Sequence, residues 1–345
     1  MNSNLGPRER RIKRGSIPKR PGEGPPSIQL ANRHLTVWVL SIVTLIGLFV
    51  VNIMGFLDTE TGSALGCGRE WPLCNNSVVP SSWNLQTIIE FGHRAIVGGV
   101  SLLLIAAAIA AWRAYGKRWL EVKIFVTVAV GFVAIEAFLG AMGVLFSDPP
   151  LILAVHLGVS LMALNGVFLL TIVIGQIRRT DKAGGGRLRP DPDSAPRGFR
   201  KLAWFSFVYT FFALYYGAYV ANSGAGGAFQ GWPFPTESYA KYGRFFILDV
   251  AHRSVALGLL VLCVALFVLA YRGRSVRRDL FTGATAALIL VCMQAVSGGI
   301  LVATKLSIPA FLLHVTIVSG LFATLAYLSV QVLPEPRGRR IAANA

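Results

Sequence analysis

The feature that most constrains the fold of this chain is a series of eight apolar segments, each about 20 residues long or longer. A helix needs about 20 residues to cross the hydrocarbon core of a bilayer, because each residue advances it by about 1.5 Å. The segments cover residues 34–56, 86–112, 122–146, 151–177, 203–222, 246–271, 279–303 and 308–332. The sequence therefore predicts an all-α integral membrane protein with eight transmembrane helices, surrounded by membrane lipid.

The net charge of +17 could indicate a nucleic-acid partner, but the basic residues occur in short clusters between the apolar segments. Membrane topology requires such clusters, so we expect no binding of nucleic acid. In the predicted topology, 27 of the 33 Lys and Arg lie on the side that holds both termini. Because the positive-inside rule places this side in the cytoplasm, we expect a multi-pass protein of the cell (plasma) membrane with cytoplasmic termini.

The second half of the chain repeats the first. Trp71-Pro72 recurs as Trp232-Pro233, 161 residues later, and Glu136-Ala137 recurs as Gln294-Ala295, 158 residues later. A tandem duplication explains these nearly constant offsets. Because each half has an even number of predicted helices, both copies enter the membrane in the same orientation. We expect two tandem four-helix bundles related by a pseudo-twofold axis along the membrane normal.

The duplication and the composition of the connecting segments predict five regions. Residues 1–33 form a basic, Pro- and Gly-rich cytoplasmic tail, which we expect to be disordered because it has almost nothing apolar to bury. The other regions are an N-terminal four-helix bundle at 34–177, a polar cytoplasmic linker at 178–202, a C-terminal four-helix bundle at 203–332 and a cytoplasmic tail at 333–345.

The most informative repeat is an acid followed three residues later by His-Arg. It occurs in the predicted second and sixth helices, as Glu90-x-x-His93-Arg94 and Asp249-x-x-His252-Arg253. A further histidine follows each copy in a later apolar segment, at His156 and His314. His93 and His156 are expected at matching depths, roughly 10 Å from the outer ends of their helices. Four of the five histidines thus form two matched pairs.

These pairs favour a shared ligand over isolated histidines. A single histidine in a bilayer is commonly explained by a hydrogen bond across helices, and here that explanation would have to hold four times. Zinc is disfavoured because each pair lacks the further ligands of a closed tetrahedral site, although the acid of each motif could supply a third. Heme fits better, since it needs one or two axial imidazoles and an apolar slot between helices. We therefore expect one heme iron on His93 and His156, and another on His252 and His314.

The charged neighbours of the histidines are suited to the edge of a heme. Arg94 and Arg253 are placed to pair with heme propionates; the alternatives are snorkelling to lipid headgroups and an ion pair with a neighbouring acid. Glu90 lies one turn before the histidine of its motif, where an acid can move protons or stabilise a developing cation. The alternative for Glu90 and Asp249 is a hydrogen bond to a ligand histidine or an ion pair. Glu136 brings another carboxyl towards the same layer.

The first predicted outer loop contains Cys67 and Cys74, on the oxidising face of the membrane. A disulfide is favoured over a metal site because no other ligand types cluster there. A purely structural disulfide and a redox role both remain open. Cys263 and Cys292 lie within apolar helices and are expected to be small core residues.

Together these motifs resemble heme A synthase of the aerobic respiratory chain. The resemblance is carried by eight helices in two repeated halves, Glu-x-x-His-Arg in the second helix, single histidines in the fourth, sixth and eighth, and a Cys-x6-Cys loop ending in Trp-Pro-Leu-Cys. It covers about residues 34–332. It implies an enzyme that oxidises a porphyrin-ring methyl group of heme O, by successive hydroxylation and loss of water, to the formyl group of heme A for cytochrome oxidase biogenesis.

The resemblance also implies that the two halves bind different hemes and have different roles. It places heme O, with heme O synthase as its donor, between His93 and His156, with Glu90 as the catalytic acid. It places heme b, as an electron-transfer cofactor, on His252 and His314. It associates the cysteine pair with a disulfide near the substrate site, and it leaves a homo-oligomer open. Glutamine is usual in the family where this chain has Glu136, so the role of that carboxyl is open.

Two rival functions use the same four histidines. A diheme b-type membrane cytochrome would only carry electrons, and a heme transporter or chaperone would bind without turnover. Neither needs the inequality of the two halves, in which only the first has a glutamate in its motif and a cysteine pair in its loop. This inequality favours the enzyme.

Overall fold

The computed structural model of the chain describes residues 28–147, 149–184 and 186–334. Residues 1–27 of the predicted N-terminal tail and 335–345 of the predicted C-terminal tail lie outside them. The described residues are helical, with an isolated bridge between Cys74 and Ser77 as their only β pairing. The prediction of an all-α protein is therefore confirmed for this part of the chain.

Nine α-helices and one 3₁₀ turn, at Pro192–Ser194, occur in the described residues. The helices are α1 (Ile28–Glu60), α2 (Leu85–Tyr115), α3 (Leu120–Phe146), α4 (Pro150–Lys182), α5 (Phe199–Asn222), α6 (Tyr239–Tyr242), α7 (Arg244–Arg272), α8 (Arg278–Ala303) and α9 (Ile308–Gln331). All except the one-turn α6 correspond to the predicted apolar segments.

Seven of the described helices are long and apolar enough to cross a membrane, which makes this a multi-pass membrane protein. The eighth long helix, α5, is not among them, although its 24 residues give it sufficient length. It contains Tyr209, Tyr215, Tyr216 and Tyr219, whose hydroxyl groups lower its mean hydropathy. The eighth crossing therefore stays a prediction.

The long helices contact one another in two closed rings. In the N-terminal half, α1, α2, α3 and α4 contact in sequence, and α1 closes the ring against α4. In the C-terminal half, α5, α7, α8 and α9 form the same ring, closed by α5 against α9. The two halves meet where α4 contacts α5 and α9, and where α1 contacts α9. The internal repeat of the sequence is thus visible as a repeated pattern of helix contacts.

The main apolar cores of both halves lie at the end of the helices away from the 61–84 loop. In the N-terminal half, this core includes Ala111 near the end of α2 and Val122 near the start of α3. In the C-terminal half, Leu266 of α7 and Leu280 of α8 occupy corresponding places. The histidines lie towards the opposite end of each half, which is thereby left available for a ligand.

The two cysteines predicted to be core residues differ in exposure. Cys263 is completely buried in the core of the C-terminal half, as predicted. Cys292 is exposed on α8, so the prediction was wrong for this residue. The reason is that a membrane helix is apolar on its lipid-facing side as well as on its packed side. Apolar sequence therefore does not distinguish a core position from a lipid-facing one.

The segment between the halves is fastened to both of them. α4 continues to Lys182 and α5 begins at Phe199, so part of the predicted linker is helical. Between them, Arg189 is completely buried, forms an ion pair with Glu121 of α3, and donates from Nη1 to the carbonyl oxygen of Val330 at 2.6 Å. One side chain thus ties the linker to a helix of each half.

We expect Arg189→Ala to destabilise the protein by about 3–5 kcal/mol, because it removes the partner of a buried carboxylate. Thermal unfolding of the full chain in detergent measures the effect. Arg118→Ala is the matched control, since Arg118 pairs with Asp181 at a distance of 3.4 Å but is 58% exposed. An exposed pair of this kind contributes about 0–1 kcal/mol. Equal shifts for the two variants would contradict the expectation.

Candidate functional site

The four paired histidines occupy equivalent positions in the two halves. His93 and His252 each lie eight residues after the first residue of their helices, Leu85 and Arg244. His156 and His314 each lie six residues after the first residue of α4 and α9. At about 1.5 Å per residue, these positions are about 12 Å and 9 Å along the helices. The four histidines therefore lie at similar levels relative to the starts of their helices.

The starts of α4 and α9 help to set this level. Both helices have a proline at the first or second position, where the fixed backbone angle and the missing N–H suit the helix. The start of α2 is set differently, by the side chain of Asn84, which accepts a hydrogen bond from the Thr87 N–H at 2.8 Å.

His93 and His156 face a common cavity of about 370 Å³ in the N-terminal half, hereafter the N-terminal cavity. The two rings are close enough to interact electrostatically. Glu90, Arg94 and Glu136 also line this cavity. The structure thus brings together the two histidines, the acid and the arginine predicted around the first heme, and also Glu136, whose role the sequence leaves open.

The wall of the N-terminal cavity is predominantly apolar and is shared between the halves. Most of it comes from α1 to α4, and Trp71 and Pro72 of the 61–84 loop also contribute. The C-terminal half adds Ala218 and Asn222 of α5 and Phe311 of α9. The ring of Phe311 lies edge to face against Phe56 of α1, with centroids 6.0 Å apart. The cavity is complete only when both halves are present.

Glu90 and Arg94 hold the 61–84 loop over the N-terminal cavity. Glu90 is 2% exposed; it forms an ion pair with Arg94 and accepts a hydrogen bond from the Cys67 N–H at 2.5 Å. Arg94 donates from Nη1 to the carbonyl oxygens of Glu70, at 3.0 Å, and Leu73, at 2.7 Å. Cys67 is joined to Cys74 by a disulfide within this loop. The carboxylate that faces the cavity is therefore bonded directly to the backbone of the disulfide loop.

Asp249 and Arg253 form the corresponding clamp in the C-terminal half. Arg253 donates from Nε to Asp249 at 2.7 Å, and from Nη1 to the carbonyl oxygens of Gly231, at 2.6 Å, and Pro233, at 2.9 Å. In both halves the arginine of the motif therefore pairs with its acid and binds the loop around the Trp-Pro dipeptide. The ion-pair alternative for the arginines is present in the structure. The joint recurrence of Trp-Pro and His-Arg is the sequence signal that could have indicated this clamp.

Each histidine ring faces a glycine on a neighbouring helix. A Cβ atom added to that glycine would lie 3.1–3.6 Å from the Cε1 atom of the ring. The pairs are Gly55 with His93, Gly140 with His156, Gly217 with His252 and Gly298 with His314. The glycines let each imidazole lie against the backbone of the adjacent helix. No pattern along the sequence indicates this role, because it depends on which residues of different helices face each other.

We expect Gly55→Val to lower heme occupancy several-fold, because the added side chain would displace the His93 imidazole. Valine has a higher helix propensity than glycine, so loss of binding cannot be attributed to helix propensity. Heme extracted per mole of purified protein measures the effect. Gly99→Val is the control, since Gly99 lies on the helix of His93, is not part of the cavity wall and has no atom within 4 Å of an added Cβ. Equal losses would contradict the proposed contact.

The second histidines of the two pairs have different polar neighbours. His314 Nε2 lies 2.9 Å from the Gln294 amide nitrogen, and His314 Nδ1 lies 2.9 Å from Ser297 Oγ. The ring of His156 interacts with the backbone of Glu136, but its buried Nδ1 has no hydrogen-bond partner of acceptable geometry among the described residues.

The carboxyl group of Glu136 joins a chain of polar side chains in the N-terminal cavity. It is hydrogen-bonded to Ser160, which is in turn hydrogen-bonded to Asn52 of α1. Gln294, at the equivalent place in the C-terminal half, instead contacts its histidine. The Glu-for-Gln difference noted in the sequence therefore changes what the side chain touches.

The histidine pairs suit heme better than a bare metal ion. Among the described residues, no group of three or more His, Cys, Asp or Glu is placed to hold a metal ion. In the N-terminal cavity, two imidazoles converge within an apolar space between helices, and glycines lie beside the rings. Two imidazoles and an apolar slot are the requirements of a six-coordinate heme.

Comparisons with known proteins show the family to which the chain belongs. Residues 37–326 match the family model COX15-CtaA, described as a cytochrome oxidase assembly protein. A heme A synthase of Staphylococcus epidermidis is 32% identical over 304 residues, which cover 88% of this chain and 97% of the relative. The heme A synthase of Staphylococcus haemolyticus is 30% identical over 310 residues, covering 90% and 99% of the two chains. A heme A synthase of Staphylococcus aureus is 30% identical over 300 residues, covering 87% and 96%.

Proposed function

The chain belongs to the COX15-CtaA family of cytochrome oxidase assembly proteins and is a heme A synthase, and from this premise we propose how its two halves divide the work. The enzyme oxidises a porphyrin-ring methyl group of heme O to the formyl group of heme A. The substrate lies in the N-terminal cavity, between His93 and His156. The observation that carries this assignment is the convergence of both imidazoles and the buried Glu90 on one apolar cavity.

Glu90 is the catalytic residue, and its carboxyl group acts on the substrate. Its ion pair with Arg94 holds the carboxylate in place on the cavity wall, facing the ligand. A carboxylate there stabilises positive charge that develops at the methyl carbon during oxidation, and it can accept a proton from the hydroxylated product. Successive hydroxylation of the methyl group gives a hydrated aldehyde, which loses water to become the formyl group.

The C-terminal half binds heme b through His252 and His314. These rings are also close enough to interact electrostatically. When bound, heme b supplies electron transfer. The chain's own residues position it: Gly217 and Gly298 lie beside the rings, and Asp249 holds Arg253 against the loop. Arg94 and Arg253, at the loop end of each site, are the proposed contacts of the heme propionates.

The two rings of helix contacts support an arrangement of eight crossings in two four-helix bundles related by a pseudo-twofold axis. In this arrangement α5 completes the C-terminal bundle, and the 183–198 linker segment connects the bundles. The distribution of Lys and Arg supports a plasma-membrane location with both termini in the cytoplasm. We further propose heme O synthase as the donor of the substrate, and a homo-oligomer remains compatible with the exposed apolar helix faces.

The function is tested by expressing the full chain with a supply of heme O and analysing the extracted hemes by mass. We expect the hydroxylated intermediate and heme A. An intact, heme-loaded protein that forms neither product would refute the proposal. The comparisons do not favour the rival diheme b-type cytochrome, which would leave heme O unchanged in this assay.

A further inference from the structure

The two halves differ in the hydrogen bonding of one histidine. Nδ1 of His314 lies 2.9 Å from Ser297 Oγ. Nδ1 of His93, His156 and His252 is buried and has no hydrogen-bond partner among the described residues. The first histidines of the two pairs are thus alike. The hydrogen bonding of Nδ1 differs only at the second histidine of each pair: His314 has a partner there and His156 does not.

The hydrogen bonds around Ser297 determine which nitrogen of His314 carries the proton. Ser297 is 1% exposed, and its hydroxyl donates to the carbonyl oxygen of Gln294 at 2.9 Å. Because its hydrogen is used there, its oxygen accepts from the Nδ1–H of His314. The lone pair is then on Nε2, where it accepts from the Gln294 amide at 2.9 Å. A lone pair on Nε2 is what a heme iron requires, once the amide has moved aside.

The N-terminal half has a leucine where the C-terminal half has this serine. Ser297 precedes Gly298, and Leu139 precedes Gly140, 158 residues earlier, the same offset as between His156 and His314. Gly140 and Gly298 confirm the register, because each lies beside Cε1 of the second histidine of its own half. Leu139 lines the N-terminal cavity and has no group that can accept a hydrogen bond from His156.

Given the proposed function, we propose that Ser297 is a positioning residue that retains heme in the C-terminal half, and that Leu139 makes heme in the N-terminal half exchangeable. A hydrogen bond to the second nitrogen of a ligand histidine holds the ring in place and raises its basicity. His314 is therefore a strong, oriented ligand, suited to a cofactor that stays. In place of this hydroxyl, the ring of His156 has only its interaction with the backbone of Glu136, which does not reach hydrogen-bond geometry, so its bond to iron is weaker. That suits a site that must accept a substrate and release a product.

The first test removes the hydroxyl from the C-terminal half. The full chain is loaded with heme b in a His93→Ala/His156→Ala background, and transfer of heme to apomyoglobin is followed by absorbance. We expect Ser297→Ala to speed the loss about 10–100-fold. It should also raise the midpoint potential of this heme, because a less basic imidazole stabilises ferric iron less well. Ser319→Ala is the control: Ser319 is buried on the helix of His314, but its hydroxyl bonds Val315.

The second test adds the hydroxyl to the N-terminal half. In a His252→Ala/His314→Ala background loaded with heme O, we expect Leu139→Ser to slow transfer to apomyoglobin about tenfold or more. This reciprocal variant gains an interaction. Its result therefore does not depend on whether Ser297→Ala loosens the packing.

Unchanged transfer rates and an unchanged potential in both variants would overturn the inference while leaving the proposed function intact. The failure of the proposed function looks different, because the parent proteins would then bind no heme through these histidines. Acceleration by Ser319→Ala equal to that by Ser297→Ala would also overturn the inference, since it would indicate a general effect of packing.

Discussion

Replacing Glu90 with alanine is expected to lower the rate of heme A formation by about 10²–10⁴-fold, the range for loss of a catalytic acid or base. Glu90 is the carboxylate of the repeated motif that lines the N-terminal cavity. Its ion pair with Arg94 keeps the charge close to the ligand. Heme bound to the purified variant should remain near the wild-type level, because both histidines of each pair are intact. Product formation and bound heme are measured on the same preparation.

The structure makes a control necessary, because Glu90 also holds the 61–84 loop through the Cys67 N–H. Asp249→Ala removes the matching acid, which pairs with Arg253 in the same i, i+4 geometry. Loss of the clamp in the C-terminal half should disturb the loop there and lower activity only modestly. Similar losses from both variants would show that Glu90 acts by holding its loop, and would contradict a catalytic role.

Alanine in place of each paired histidine is expected to separate the two sites. His252→Ala and His314→Ala should lose heme b and with it almost all turnover, because the electron-transfer cofactor loses an axial ligand. His93→Ala and His156→Ala should keep the heme b spectrum and lose binding of heme O. Absorption spectra and mass analysis of extracted heme, taken on all four variants, measure both effects.

The four variants should fall into two classes. Those in the N-terminal half should lose heme O, and those in the C-terminal half should lose heme b. His34→Ala serves as the control, since His34 lies in the first helix beside Asp181 and Tyr115, away from both pairs. Loss of both hemes from every variant would instead indicate that the histidines act together in folding. Retention of both hemes in any one variant would contradict ligation by that residue.

The helices could be predicted closely because the bilayer imposes a simple demand on sequence. A segment that crosses it must be apolar over about 20 residues, and its backbone must be satisfied within the segment. Helix ends were less well predicted: α4 continues to Lys182, beyond the apolar run that ends at 177. A helix can extend past the hydrocarbon core, since polar residues are tolerated at the interface. Hydropathy therefore predicts which residues lie in the hydrocarbon core, but it does not predict the residue at which the helix ends.

The candidate site could be predicted as a set of residues but not as a set of contacts. The offset of 158 residues pairs His156 with His314, and it indicates that their surroundings match. It does not reveal that Arg94 bonds the carbonyl oxygens of Glu70 and Leu73, because every residue carries such an oxygen. The same holds for the glycines beside the rings. Contacts with backbone leave little trace in side-chain patterns.

The N-terminal cavity has part of its wall in the other half of the chain, through α5 and Phe311 of α9. A solitary four-helix unit would therefore leave its ligand open on one flank. An ancestral unit of this kind could enclose a porphyrin only by pairing with a second copy. The tandem arrangement supplies that second copy within one chain, and it lets the two copies differ in sequence.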